Sequence, residues 1–144
     1  MVSGKRVESK LGVKVEALLF DFDGTLVDSM KVILRALNSI LSKRGLSSFT
    51  AKELCEVSGI PLRKILSSRF PNISIDLVDI CVNEFYNLYL QTSLEECELF
   101  PPVKEVLKQF RSRDIKLGLV TTTPKKLVDR DLERLGLRKF FKLS

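Results

Sequence analysis

Two aspartates, Asp21 and Asp23, follow directly after a short apolar run, Val15 to Phe20 (VEALLF). A nearly continuous apolar run of this length is typical of a strand buried on both faces of a parallel sheet. Two carboxylates crowded at the end of such a strand repel each other, and burying both without a counter-charge is costly. A divalent cation that neutralises the pair would make the arrangement tolerable, so this position is the first candidate for a functional site.

A second apolar run, Ile115 to Val120 (IKLGLV), ends in a polar loop that contains Thr121 and Thr122. Two buried strands that each open into a polar loop and then a helix predict an α/β sheet. The carboxyl ends of neighbouring parallel strands meet at one edge of a sheet, so the threonines should lie close to the aspartates. There they would offer donors to a phosphate, while Gly24 lets the chain turn and brings backbone N–H groups close to the same anion.

The sequence between the two strands has the periodicity of amphipathic helices. Ser29 is a candidate N-cap for the first helix and Gly45 a stop signal after it, while Thr50 and Glu53 have the spacing of a capping box. A longer helix carries apolar residues at helical spacing: Ile75, Val78, Val82, Phe85 and Tyr89. Four helices of this size predict a small bundle.

The chain contains no histidine and three widely spaced cysteines, Cys55, Cys81 and Cys97. This composition excludes zinc sites of the usual Cys/His kind, and Ser-His and Cys-His catalysis as well. Any acid-base chemistry must therefore fall to carboxylates, lysines or tyrosines. We expect the three cysteines to be buried, reduced thiols of a cytoplasmic protein.

The net charge of +6 is concentrated in residues 104–144, and no exposed aromatic pattern or known reader motif accompanies it. The excess therefore predicts attraction of an anionic small substrate rather than nucleic-acid binding, with an acidic partner as a further alternative. No apolar run approaches the ~20 residues needed to cross a bilayer. Residues 1–14 are polar and basic with no apolar core, so we expect a flexible basic tail rather than a secretory signal.

Residues 21–29, DFDGTLVDS, resemble the first motif of the haloacid-dehalogenase-like hydrolase superfamily, on the branch of phosphoglycolate phosphatase and β-phosphoglucomutase. Residues 117–124, LGLVTTTP, are similar to its second motif, and the helical insertion matches that branch's α-helical cap. The resemblance implies an incomplete Rossmann-like parallel-sheet core formed by residues 15–29 and 99–144. It places the cap in residues 30–98.

The resemblance also implies Mg²⁺-dependent hydrolysis of a small phosphomonoester through an aspartyl-phosphate intermediate. Asp21 would be the nucleophile and Asp23 the general acid/base, with the Asp21 carboxylate and the Asp23 backbone carbonyl as Mg²⁺ ligands. Thr121 and Thr122 are assigned to phosphate binding, together with Gly24. An acid at position 23 favours a phosphatase over a dehalogenase, while a phosphomutase of the same branch would share these motifs and stays an alternative.

Several neighbouring residues receive structural interpretations. Thr25 and Ser29 are interpreted as turn and capping residues, and Asp28 as either an N-cap or a contact at the hinge of the cap. Lys125 and Lys126 are interpreted as solvated helix residues.

Relatives carry a third motif, a lysine, and a fourth, an acidic pair, after a strand that should start here near Phe140. Neither motif is found before Ser144, and Lys142 stands at the start of the expected strand, so the chain resembles the front two-thirds of a phosphatase. Without the neighbouring strand, residues 15–20 would form an exposed apolar edge that favours self-association. A non-catalytic remnant that binds only a partner or phosphate therefore stays an alternative to an enzyme.

Overall fold

The computed structural model describes residues 15–141, apart from the side chain of Leu94. The predicted flexible tail, residues 1–14, and Lys142 lie outside the described residues. The elements in chain order are β1 (Ala17–Phe20), β2 (Val27–Asp28), α1 (Met30–Ser42), α2 (Ala51–Glu56), α3 (Leu62–Arg69), α4 (Ile75–Glu96), β3 (Glu98–Leu99), α5 (Val103–Arg111), β4 (Lys116–Leu119), α6 (Lys125–Arg134) and a 3₁₀ turn (Arg138–Phe140).

The two predicted apolar strands pair with each other in parallel. The register of β1 and β4 runs from Ala17 opposite Lys116 to Phe20 opposite Leu119. With helices α5 and α6 flanking β4 along the chain, this pairing confirms the predicted α/β fold built on a parallel sheet. The loops that follow the two strands consequently leave the sheet at the same edge.

Strand β1 is covered on one face only, so the prediction of burial on both faces is wrong for this strand. The Phe20 ring packs on the covered face with centroids 6.2 Å from Phe110 and 6.4 Å from Phe141. Leu19 points the other way and is 70% exposed. Val120, just after β4, is 60% exposed. In the described part of the chain β4 alone pairs with β1, which leaves the expected apolar edge open. Self-association through that edge stays a prediction.

Helices α1 to α4 form the predicted helical bundle, in which α4 packs against α1 and α3 and α2 packs against α1. Leu37 and Leu41 of α1 and Leu66 of α3 are fully buried, and Val78 of α4 is 1% exposed. The capping box starts α2 as predicted, since the Thr50 hydroxyl accepts from the Glu53 N–H at 3.2 Å. Within residues 15–141 no helix combines the length and the apolar character needed to cross a bilayer.

A two-residue antiparallel pair connects the helical bundle to the sheet, and the sequence pattern did not indicate it. Strands β2 and β3 pair Val27 with Leu99 and Asp28 with Glu98. Strands this short carry no periodicity that a sequence pattern can reveal. The pair lies where the chain enters and leaves the bundle, next to the predicted boundaries at residues 29/30 and 98/99.

One local prediction differs from the structure. Cys81 and Cys97 are buried free thiols, but Cys55 is an exposed free thiol, so the expectation of burial is wrong for it. Cys55 lies on α2, whose short length buries only Leu54.

Residues Arg138–Phe140 form a 3₁₀ turn, and Phe141 after it has an extended backbone. The strand expected to begin near Phe140 would continue into residues outside the described range, so it stays a prediction.

Candidate active site

The loop after β1 is a tight turn organised around the backbone of Phe22. The Phe22 carbonyl accepts hydrogen bonds from the N–H groups of Leu26 at 2.9 Å and Val27 at 3.1 Å, and its side chain is 1% exposed. Gly24 has a φ of +77°, which is strained for any residue with a Cβ. The N–H of Gly24 donates to the Val27 carbonyl at 2.8 Å, so in this turn it points at protein rather than at the solvent. A phosphate-binding role for Gly24 stays a prediction.

The Asp23 carboxylate accepts hydrogen bonds from three hydroxyl groups. Ser29 Oγ donates to Oδ1 at 2.7 Å, Tyr89 Oη donates to the same oxygen at 3.2 Å, and Thr123 Oγ1 donates to Oδ2 at 2.6 Å. The three donors come from different places: the start of α1, the middle of α4 and the loop after β4. Both oxygens of Asp23 are thereby held in one orientation.

Asp21 has a different environment although it lies two residues earlier. It is exposed, and its Oδ2 accepts a long hydrogen bond of 3.3 Å from Thr25 Oγ1. One carboxylate of the pair is therefore open to a ligand from the solvent, and the other is fixed by its hydroxyl neighbours. This asymmetry is what a nucleophile beside a positioned proton carrier requires.

The loop after β4 meets the loop after β1, as the parallel strands predict. The Val120 N–H donates to the Phe20 carbonyl at 2.9 Å, and Thr123 bonds to Asp23 directly. The Thr121 hydroxyl accepts from the Thr123 N–H at 3.1 Å, which leaves its own O–H able to donate to a ligand. Thr122 is exposed at the same edge.

Two residues that the sequence analysis treated as structural contact the aspartate pair instead. Ser29 occupies the N-cap position of α1 but makes no side-chain cap bond, because its hydroxyl is turned to Asp23. Thr25 likewise donates to Asp21. The solvated interpretation of Lys125 is confirmed: it is exposed, with its Nζ 2.8 Å from a carboxylate oxygen of Asp129 one helical turn away.

Sequence reasoning missed Tyr89 and Thr123 as neighbours of Asp23. Thr123 had a signal, since it belongs to the polar loop that ends the second apolar strand. Tyr89 had none, because its place on the apolar face of α4 indicates packing and its hydroxyl contact depends on how the helical bundle meets the sheet.

A cavity of about 90 Å³ opens between the helical bundle and the two loops. Asp23, Thr122 and Thr123 line its end next to the sheet, and Tyr86 and Tyr89 line its side. Burial, followed by the negative charge of Asp23, raises the pKa of both tyrosines. Both phenols therefore stay protonated at neutral pH, and Tyr89 remains a hydrogen-bond donor to Asp23.

An ion pair on α6 connects this helix to the end of α4. Arg130 donates to the Leu90 carbonyl at 2.7 Å, to Ser93 Oγ at 2.6 Å and to Asp131 Oδ1 at 2.8 Å. Asp131 is 1% exposed, and Arg134 completes the connection by donating to the Cys97 carbonyl at 2.8 Å. These contacts hold the segment of α4 that carries Tyr89 within reach of Asp23.

The oxygen ligands at the tip of β1 suit a hard cation, although they are few in number. Within residues 15–141 no cluster of three or more histidine, cysteine, aspartate or glutamate side chains is present. Mg²⁺ binds through one or two carboxylates and keeps waters or phosphate oxygens as its other ligands. The exposed Asp21 carboxylate could meet that requirement. The Asp23 carboxylate is engaged by hydroxyls, so the backbone carbonyl of Asp23 would be better placed to act as a second ligand.

Comparison with known proteins identifies the family. The model of the haloacid dehalogenase-like hydrolase family matches residues 18–143, which is nearly the whole chain. The chain belongs to the haloacid dehalogenase-like hydrolase family. Its relatives place it on the phosphoglycolate-phosphatase-like branch, and the aspartate loop and the threonine loop both lie inside the matched region.

Two relatives and one solved structure illustrate the similarity. A phosphoglycolate phosphatase from Xanthomonas campestris is 32% identical over 120 residues, covering 83% of this chain and 54% of the relative. A pyrophosphatase from Oceanobacillus iheyensis is 28% identical over 129 residues, covering 90% of this chain and 58% of the relative. A haloacid dehalogenase-like hydrolase from Streptococcus pneumoniae superposes with a TM-score of 0.73 at 25% identity, covering 89% of this chain and 59% of that one. The chain thus spans somewhat more than half the length of the relatives it matches.

Proposed function

We propose that this chain carries the phosphoryl-transfer site of a Mg²⁺-dependent phosphatase that hydrolyses small phosphomonoesters. The observation that supports the proposal is the asymmetric pair at the tip of β1: Asp21 is exposed, and Asp23 is held by three hydroxyls. In this proposal residues 30–98 act as the cap over the site. Phosphoglycolate and pyrophosphate enter as candidate substrates, because they are named by the relatives.

The proposed reaction has two displacement steps. In the first, a carboxylate oxygen of Asp21 forms a bond to phosphorus, the ester P–O bond breaks, and the departing alkoxide takes a proton from Asp23. In the second, water attacks the phosphorus of the aspartyl-phosphate and gives a proton to Asp23. The bond between phosphorus and Asp21 then breaks and releases inorganic phosphate. Asp23 ends the cycle protonated, ready for the next ester.

The hydroxyl neighbours of Asp23 position its carboxylate for these proton transfers. Ser29 and Thr123 hold the two oxygens from the sheet side at 2.7 Å and 2.6 Å. Tyr89 donates from the helical bundle, so the orientation of the acid depends on the bundle being in place over the site. Because the carboxylate is already oriented, it does not have to reorient during proton transfer, which lowers the barrier to the reaction.

Phosphate binding would be shared among the remaining loop residues. Thr121 has a hydroxyl proton to donate, and Thr122 is exposed at the same edge. Gly24 would contribute through the shape of its turn, since its own N–H is bonded to the Val27 carbonyl. Mg²⁺, held by the Asp21 carboxylate and the Asp23 carbonyl, would supply neutralisation of the negative charge that gathers at the phosphoryl group.

Trapping of the covalent intermediate tests this proposal. The chain is incubated with Mg²⁺ and acetyl phosphate that carries the radiolabel on phosphorus. The mixture is quenched with acid, and the protein is analysed for covalently attached label. Acetate leaves without a proton, so the first step does not need Asp23, whereas hydrolysis of the intermediate does. We expect label on the wild-type chain, none on Asp21→Asn, and more on Asp23→Asn than on wild type. Equal labelling of wild type and Asp21→Asn, or no label on the wild-type chain, would overturn the proposal.

A further inference from the structure

The cavity beside Asp23 lies where the leaving group of an ester must go, if Asp21 attacks phosphorus as proposed. Asp23 is the proposed proton donor to the leaving oxygen, so that oxygen must lie next to the Asp23 carboxylate. Asp23 itself lines the cavity, together with Thr122 and Thr123. The carbon atoms attached to the leaving oxygen consequently extend into the space between the loops and the helical bundle.

The walls of this cavity are apolar on the side of the helical bundle. Side chains from all four helices and from the loop before α3 form them, among them Met30, Ile33, Leu54, Ile60 and Phe85. The polar groups that line it are neutral, namely the phenols of Tyr86 and Tyr89 and the hydroxyls of Ser58, Thr122 and Thr123, with the single exception of Asp23.

No lysine or arginine among residues 15–141 lines the cavity, and the chain has no histidine, so none of the described residues offers a positive charge to an anionic leaving group. The arginines of the helical bundle form ion pairs elsewhere: Arg35 with Glu96, Arg44 with Glu84, Arg63 with Asp79 and Arg69 with Glu53. A carboxylate or phosphate in the cavity would lose water without gaining a counter-charge from these walls, which is unfavourable.

The volume of the cavity limits the size of the group it accepts. The enclosed part of the cavity has a volume of about 90 Å³. A leaving group of a few carbon atoms suits a space of that size.

From these observations we infer that the site prefers phosphomonoesters of small, uncharged, largely apolar alcohols. Esters whose leaving group carries a carboxylate or a second phosphate bind worse, although relatives are named for such substrates. This inference rests on the proposed function and specifies its substrate class.

Two esters of equal shape test the inference. Isobutyl phosphate and phosphoglycolate share the skeleton in which a CH₂ carries a carbon with two further heavy atoms, and they differ in that those atoms are methyls or carboxylate oxygens. The chain contains two tyrosines and no tryptophan, and both tyrosines line the cavity. Intrinsic tyrosine fluorescence therefore reports on the cavity, and each ester is titrated into the full chain with Mg²⁺.

We expect isobutyl phosphate to produce a saturable fluorescence change with a Kd at least about tenfold below that of phosphoglycolate, because the carboxylate stays uncompensated. Ile60→Lys places a cation at the cavity wall and should reverse the preference. Ser58→Lys does the same from another exposed position of the cavity wall, in case Ile60→Lys fails to fold. The matched control is Ile80→Lys, an exposed position on α4 outside the cavity, which should keep the wild-type preference.

Equal affinity for the two esters, tighter binding of phosphoglycolate by the wild-type chain, or no saturable change with either ester would overturn the inference. Labelling of Asp21 by acetyl phosphate reports separately on the proposed function, since its acetyl group makes little use of the cavity. A labelled chain without the ester preference refutes the substrate class alone. A chain that is not labelled refutes the proposed function and, with it, this inference.

Discussion

Replacing Ser29 by alanine probes the hydroxyl arrangement around Asp23 most simply. Ser29 is fully buried, and its hydroxyl donates to Asp23 Oδ1 at 2.7 Å. A hydrogen bond to a charged group contributes about 1.5–3 kcal/mol. Asp23 Oδ1 would still accept from Tyr89, so the carboxylate is not left unpaired. We therefore predict the lower end of the range, a loss of about 1.5 kcal/mol in the free energy of unfolding.

Urea unfolding followed by circular dichroism at neutral pH measures this loss. The m-value should stay unchanged, because Ser29→Ala removes one oxygen and exposes no new surface. A double-mutant cycle with Asp23→Ala isolates the contact from other effects of each substitution. Tyr89→Phe is the matched comparison, and its cost should be smaller because its hydrogen bond is longer, at 3.2 Å.

An unfolding midpoint that Ser29→Ala leaves unchanged would show that this hydrogen bond does not stabilise the fold. An equal loss of stability in the wild-type and Asp23→Ala backgrounds would also contradict the prediction, because the hydroxyl would then stabilise the fold without contacting the carboxylate.

Three further predictions concern the elements that support the site. Asp131→Ala should lower the free energy of unfolding in urea by about 3 kcal/mol, because it leaves two arginines without their buried partner. A loss below about 1 kcal/mol would contradict the role of that ion pair. The Thr50 N–H, and then Arg69, lower the pKa of Glu53 to about 2. Because this pKa lies below the ordinary value of 4.5, the stabilisation is present above pH 4.5 and is lost as the pH falls towards 2. Glu53→Gln should flatten the dependence of the unfolding midpoint on pH in that window, and an unchanged slope would refute the assignment. Gly24→Ala should lower the free energy of unfolding by about 1–2 kcal/mol, because the backbone at this position has a positive φ. An unchanged midpoint of thermal unfolding would contradict the turn geometry.

The parts of the fold that the sequence predicts are those with a local physical signal. The capping box of Thr50 and Glu53 is confirmed because its two hydrogen bonds depend on residues three apart. The meeting of the aspartate loop with the threonine loop is confirmed because parallel strands bring their carboxyl ends to one edge. Both inferences need only short-range chemistry and one rule of sheet geometry.

The parts that the sequence did not predict depend on contacts between distant segments. Tyr89 lies 66 residues from Asp23, and its position on α4 is equally compatible with simple packing. The exposure of Leu19 depends on what covers the sheet, which the strand's own composition does not encode. Ser29 occupies the N-cap position that its residue type predicts, yet its side chain makes no cap hydrogen bond. Its hydroxyl donates to the Asp23 carboxylate instead, and a hydrogen bond to a charged acceptor is a strong one.

We propose that Asp21, beside the positioned Asp23, takes up a phosphoryl group in the presence of Mg²⁺. Fluorine NMR of fluoroberyllate, a mimic of a phosphoryl group attached to an aspartate, reports on this step at the residue itself. We expect a bound resonance that requires Mg²⁺, survives in Ser29→Ala and disappears in Asp21→Asn. A bound resonance that persists in Asp21→Asn, or its absence from the wild-type chain with Mg²⁺ in excess, would show that Asp21 is not the residue that takes up the phosphoryl group.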